Sequence, residues 1–300
     1  MERHLPADLP KLKKPRTRLG KVLAPYLLIM PGGVWLGLFF VIPLLVMISV
    51  SLQTGSLERG FSMTWHFRRY YDVIKQYHVQ IVRSIEYGGL ATLLTLVVSF
   101  PISYWIAFYG GKRKNTFLLL LLLPFFVSFV IRTLSWGFIL ADDGIVIGTL
   151  KDWGILGRSF HVLATGTAVV TGIAYNFLPF MALPLYVSLE KIDRRVVEAA
   201  SDLYANKRQI LLKVILPLAA PGVFAGVLLT FVPAAGDYVN QSILGGTRNT
   251  MIGNIIQQRF LVNFDYPGAA ALSTVLMVAL LIGIFAYARA LGTRNIQEYV

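Results

Sequence analysis

Six apolar runs dominate the chain: Val22 to Leu57, Tyr87 to Gly111, Thr116 to Ala141, Ser159 to Leu189, Val214 to Gly236 and Tyr266 to Ala288. All are free of charged residues except the third, which Arg132 interrupts. Each is long enough to cross a hydrocarbon core, which takes about 20 residues of helix. None alternates polar and apolar residues, as a membrane barrel strand would. The pattern predicts an all-α integral membrane protein with six transmembrane helices.

Prolines 101, 124, 179, 184, 221 and 233 fall within or at the edges of these runs. Each removes an amide donor and tends to kink its helix, and neighbouring helices can satisfy the freed carbonyls. Bundle geometry accounts for such kinks; hinging around a translocation path is the functional alternative. No internal repeat is evident, which argues against an inverted-repeat secondary transporter.

Composition agrees: 56% of the residues are hydrophobic and only 14% charged. The net charge of +13 raises the question of nucleic acid, and the distribution of the charges answers it. Lys and Arg number seven in residues 1–23, three in 110–115, six in 190–213 and two at the C-terminal end, eighteen in all. The loops on the other side carry eight, with Arg83 and Arg132 at or inside spans. That bias places both termini and the 190–213 loop in the cytoplasm of a multi-pass membrane protein. It divides the chain into a basic tail (1–23), a six-helix domain (24–293) containing the loop 190–213, and a cytoplasmic end (294–300). The polar tail leads into an apolar run too long for a signal peptide, with no small-residue cleavage site after it. Without cysteine there is no disulfide and no thiolate metal site.

The loop 190–213 is charged and helix-prone. Asp193 is placed to cap a helix, on which Val196, Val197, Ala200 and Leu203 form one apolar stripe. Asn206 ends that helix, and Gln209 to Lys213 starts a second one running toward Pro217. The stripe is small and flat, and acids share the polar face. Those features fit docking to a protein better than lying on a membrane surface.

The spacing Glu198-Ala199-Ala200, Ser201-Asp202-Leu203, Tyr204, then Val214-Ile215-Leu216-Pro217 nine residues later resembles the EAA loop of ABC-importer permeases. That family has Gly where Tyr204 stands. The segments LLLPFFVSFVIRTLSWGFIL (121–140), NFLPFMALPLYVSLEKID (176–193) and ILGGTRNTMIGNIIQQRFL (243–261) are similar to the spermidine/putrescine permeases within it. The resemblance implies the type I importer (MetI-like) permease fold in a bacterial inner membrane. It also implies a coupling helix that docks on a cytoplasmic ATPase. The implied complex has two related permeases, two ATPases and an extracytoplasmic binding protein that delivers polyamine. Glycine would allow a positive φ at the loop's bend; tyrosine does so at a cost. Either the bend moves to Asn206, which is the expectation here, or Tyr204 stays helical and its ring packs on the ATPase.

Charges near spans are candidates for a solute path. Asp237 and Glu86 sit at outer ends of spans, although Arg83 is placed to pair with Glu86. Tyr175, Trp105, Trp136, Tyr104 and Phe180 offer aromatic faces to an ammonium, with lipid packing as the alternative for each. Arg132 is awkward for a cation path; snorkelling, or pairing with Asp142 or Asp143, accounts for it. The glycine-bearing loop 245–250 is a candidate contact for the binding protein. There is no phosphate-cradling motif, and His4, His66, His78 and His161 lack metal-ligand spacing. No cofactor and no catalytic role are expected, and ATP hydrolysis falls to another subunit. The alternatives are the same machine with an inorganic anion, sugar or amino acid as solute, and an ion-driven carrier working alone.

Overall fold

The computed structural model describes residues 18–291, with side chains from 26 to 290. Most of the basic tail (1–17) and the C-terminal stretch 292–300 lie outside the described residues. Among the described residues, those up to Ser49 and those from Val50 onward form two compact units, the division falling near the end of the second helix.

In the first unit, α1 (Arg18–Leu36) passes through a wide turn at Gly37–Val41 into α2 (Ile42–Ser51), and Tyr26–Ser51 is long and apolar enough to span. In the second unit, an antiparallel hairpin of β1 (Gln53–Ser56) and β2 (Gly60–Met63) pairs Gln53 with Met63. Then comes α3 (Arg68–Tyr109), 42 residues long. At 1.5 Å per residue that is about 63 Å, roughly twice the hydrocarbon core. The helix thus begins well before the expected Tyr87. Counting uncharged length alone hid its first turns, where a charged exterior flanks Val73, buried against Ile252, Ala271 and Leu272. Its interior departs from helical geometry at Tyr77 (φ −117°, ψ 19°), and Pro101 leaves the helix continuous.

The third apolar run is not one straight span. α4 (Lys114–Leu122) runs into a tight turn at Leu123–Phe126, and α5 (Phe129–Leu140) leaves at 88° to it. Pro124 removes the amide that would continue α4, and Val127 and Ser128 are extended. After α6 (Ile147–Asp152) comes α7 (Gly166–Glu190), capped by Thr165 through Ala168 N at 3.3 Å. α8 (Arg194–Asp202), α9 (Lys207–Ile210) and α10 (Leu216–Leu218) lead to α11 (Ala220–Ala235), with a 65° bend before it. α12 (Ile252–Gln257) and α13 (Tyr266–Leu291) complete the described chain. Among the described residues four helical stretches are long and apolar enough to span, or six if each bent pair counts as one.

The core is α3, α7 and α11 in close contact. Thr95, Ser99 and Ser103 recur every fourth residue on α3 and donate to the carbonyls of Ala174, Leu178 and Ala182 on α7 at 3.3, 3.4 and 2.9 Å. Lipid offers no hydrophobic drive for helices to associate, so small residues and interhelical hydrogen bonds do the work. Gly222 makes the same point on α11: a Cβ there would fall 2.6 Å from the Pro184 carbonyl oxygen.

Candidate coupling loop and translocation path

The loop between α7 and α11 begins as its sequence predicts. Asp193 caps α8, its carboxylate accepting from the Arg195 amide at 3.0 Å. Arg194 donates to the Phe108 carbonyl at 2.9 Å, and Lys114 pairs with Glu190, so the loop is tied to the end of α3 and the start of α4. Beneath it, Leu189, Ile210, Ile215 and Ala219 form a buried cluster with Phe100, Tyr104 and Phe108 of α3.

That cluster divides the expected stripe. Val197 and Ala200 pack inward on it, while Val196, Glu198, Ala199, Leu203 and Tyr204 face outward. Leu203 is 82% exposed and Tyr204 97%. The small residue at 200 fits the helix against its own chain, and the outward apolar face is Val196 with Leu203 and Tyr204.

The bend stays at Tyr204, with φ +58°; it does not move to Asn206, and Tyr204 is not helical. The reason is local hydrogen bonding. Ala205 N donates to Ala200 O at 3.1 Å and Tyr204 N to Ser201 O at 3.0 Å. This pair of bonds is the Schellman closure of a helix, which puts the residue between them in the left-handed region. Asn206 is committed to the next helix. Its side chain accepts from Gln209 N while Gln209 Oε1 accepts from Asn206 N, both at 2.9 Å. That capping box needs extended backbone at Asn206 (φ −74°, ψ 163°). A wide turn at Leu211–Ile215 then precedes exposed Pro217 in α10.

The path candidates fall into different places. Asp237 is 7% exposed and accepts from the Asn240 amide at 3.0 Å and its side-chain nitrogen at 2.5 Å. Asn240 Oδ1 in turn accepts from Asn176 Nδ2 at 3.0 Å, and Asn176 donates to Thr133 Oγ1 at 2.9 Å. Thr133, Asn176 and Asn240 are completely buried. Sequence reasoning missed all three; the available signal was uncharged polar residues amid apolar ones, which membrane interiors retain only where they find partners. Among the described residues Asn176 Oδ1 and Thr230 Oγ1 are buried without a partner.

Tyr175 and Trp136 meet edge-on at 5.4 Å between ring centres. Phe180 packs on Phe125 and Phe177. Trp105 lies elsewhere, half exposed against Phe117, and Tyr104 belongs to the cluster under the loop. Glu86 is exposed, and Arg83 does not pair with it but donates to the Thr250 carbonyl at 3.1 Å.

Arg132 does not snorkel, and it pairs with no acid among the described residues. It is 7% exposed, with its guanidinium carbon 4.9 Å from the Phe125 ring centre. Asp142 is engaged instead by Lys151 at 2.9 Å and by His161 at 2.5 Å. Hydrogen bonds from Lys151 and then His161 hold the Asp142 carboxyl below the usual carboxylate range.

The segment 245–250 is an ordered cap rather than an open loop. Asn249 accepts from Tyr87 at 2.9 Å and donates to Ala164 O and Gly245 O at 2.8 and 2.7 Å, leaving Thr247 and Arg248 exposed.

Comparison with known proteins draws these features together. Residues 22–296 match the family described as binding-protein-dependent transport system inner membrane component. The spermidine/putrescine transport system permease protein PotB of Haemophilus influenzae is 36% identical over 257 residues, 85% of this chain and 90% of that protein. PotB of Escherichia coli K12 is 33% identical over the same length and 94% covered. A chain of a bacterial alginate ABC transporter superposes with a TM-score of 0.65 at 17% identity, covering 90% of this chain and 96% of that one. A chain of the MetNI methionine ABC transporter gives 0.55 at 16% identity, covering 71% and 93%. The last two likenesses show the fold. The chain belongs to the binding-protein-dependent transport system inner membrane component family, and is a multi-pass, non-catalytic permease subunit of an ABC importer whose ATPase is a separate partner.

Proposed function

We propose that this chain forms part of the path for polyamine import. Its relatives at 33–36% identity over 85% of the chain are spermidine/putrescine permeases, and that observation carries the reading. A second related permease completes the path, one of two cytoplasmic ATPases receives the loop 190–213, and an extracytoplasmic binding protein delivers the solute. The bias of Lys and Arg puts both termini and the loop in the cytoplasm. Val196, Leu203 and Tyr204 present the apolar docking face, with Glu198 and Ala199 beside them. ATP binding draws the ATPases together, α8 moves with them, and α11 follows through Pro217.

Asp237 is the acid best placed to meet an ammonium. It is buried, and Asn240 orients it.

The test is uptake of labelled putrescine and spermidine by membranes containing the whole complex, challenged with unlabelled solutes. Competition by polyamines, with none from molybdate, sulfate, maltose or amino acids, is the expected result. Competition by one of the latter would replace the polyamine reading and leave the family intact.

A further inference from the structure

Arg132 is a buried cation with no carboxylate partner among the described residues. Its guanidinium carbon lies 4.9 Å from the Phe125 ring centre and 5.8 Å from that of Phe129. Its Nε is buried with no hydrogen-bond partner among the described residues. A desolvated guanidinium is costly inside a membrane protein, and ring faces offset that cost only in part. The two rings therefore make a good cation site, and the cation in it is held there by its own tether.

The site's position matters as much as its chemistry. Arg132 and Thr133 are consecutive on α5, and Tyr175 and Asn176 are consecutive on α7. Thr133 and Asn176 lead through Asn240 to Asp237, the only buried carboxylate among the described residues. Neighbours on a helix differ by about 1.5 Å along its axis, so Arg132 sits one residue from Thr133, where the route to the acid begins. The walls also come from the two halves of a bent helix. Phe125 belongs to the turn Leu123–Phe126 and Phe129 opens α5, with the 88° bend between them. A change in that bend separates the walls.

We propose that Phe125 and Phe129 form an ammonium-binding site of the path, and that Arg132 occupies it when no solute is present. An entering ammonium displaces the guanidinium and takes its place between the rings. The tethered arginine acts as a built-in competitor: it lowers affinity for the solute and refills the site as the solute leaves. This inference rests on the polyamine reading above.

The experiment is labelled putrescine uptake by the complete transporter reconstituted in vesicles, carrying Arg132→Gln, Arg132→Lys, or Arg132→Gln with Phe125→Leu. Uptake by the unsubstituted complex comes first; its absence would overturn the polyamine reading and, with it, this proposal. Given that uptake, Arg132→Gln is expected to lower KM about fivefold, because the competitor is gone. Arg132→Lys should stay within about twofold of the unsubstituted value. Adding Phe125→Leu to Arg132→Gln should raise KM again. A neutral side chain at 132 removes an unpaired buried charge, so the complex should still assemble. An unchanged or higher KM for Arg132→Gln overturns the proposal while leaving the polyamine reading standing. So does failure of that variant to assemble, which would assign Arg132 to a contact between subunits.

Discussion

The Ala205 amide donates to the Ala200 carbonyl at 3.1 Å, five residues back, and the chain between them turns through Tyr204 at φ +58°. A tyrosine there carries a left-handed strain of about 1 kcal/mol that glycine would not. Tyr204→Gly should therefore keep the turn and tighten it. Amide exchange at Tyr204 and Ala205 should slow several-fold, and faster exchange would show that the ring holds the bend. Asn206→Val should act in the opposite direction. It removes the capping box and should loosen α9 by about 1 kcal/mol.

The division of the loop into inward and outward faces separates two effects. Ala200→Phe should overfill the cluster under the loop and cost about 1–3 kcal/mol of stability, seen as a lower melting midpoint of the purified complex. Leu203→Ala should leave stability within about 0.5 kcal/mol yet reduce ATPase co-purification and uptake. Full uptake by Leu203→Ala together with Tyr204→Ala would remove this face from coupling. Glu198→Lys should likewise lower uptake without lowering expression.

Asp237 and Asn240 are best separated by paired variants. Asp237→Asn preserves size and one acceptor oxygen, but it removes the charge and sets an NH2 donor against one of the two Asn240 donors, so uptake should fall steeply with a smaller drop in melting midpoint than Asn240→Ala gives. Asn240→Ala strands buried partners on Asp237 and Asn176 and should cost about 1–3 kcal/mol of stability as well as uptake. Undiminished uptake in Asp237→Asn would exclude the carboxylate from the path.

The α7–α11 contact predicts a ranking. A Cβ at Gly222 meets the Pro184 carbonyl oxygen at 2.6 Å, backbone that does not yield. At Gly226 it meets the Met181 sulfur at 2.6 Å, the flexible end of a side chain. Gly222→Ala should lower the melting midpoint more than Gly226→Ala. The reverse order would mean that α11 shifts as a body.

The sequence by itself determined that this is a membrane bundle and that the loop 190–213 opens with a helix capped at Asp193. Those properties follow from the length of apolar runs and from local capping. The EAA spacing likewise marked the family before any fold was in view. Only the tertiary structure decided which residues the bundle draws inward. Val197 and Ala200 face a cluster supplied by α3, which a helical stripe read alone cannot know. Tyr204 carries the bend because two hydrogen bonds and the cap at Asn206 leave no cheaper arrangement, and that balance appears only once the turn closes. Thr133, Asn176, Asn240 and Asp237 stand more than 100 residues apart at their extremes and become one network only when α5, α7 and the end of α11 pack together. Arg132 shows the same limit: charge patterning sends an arginine to water or to an acid, while packing gave it two aromatic rings.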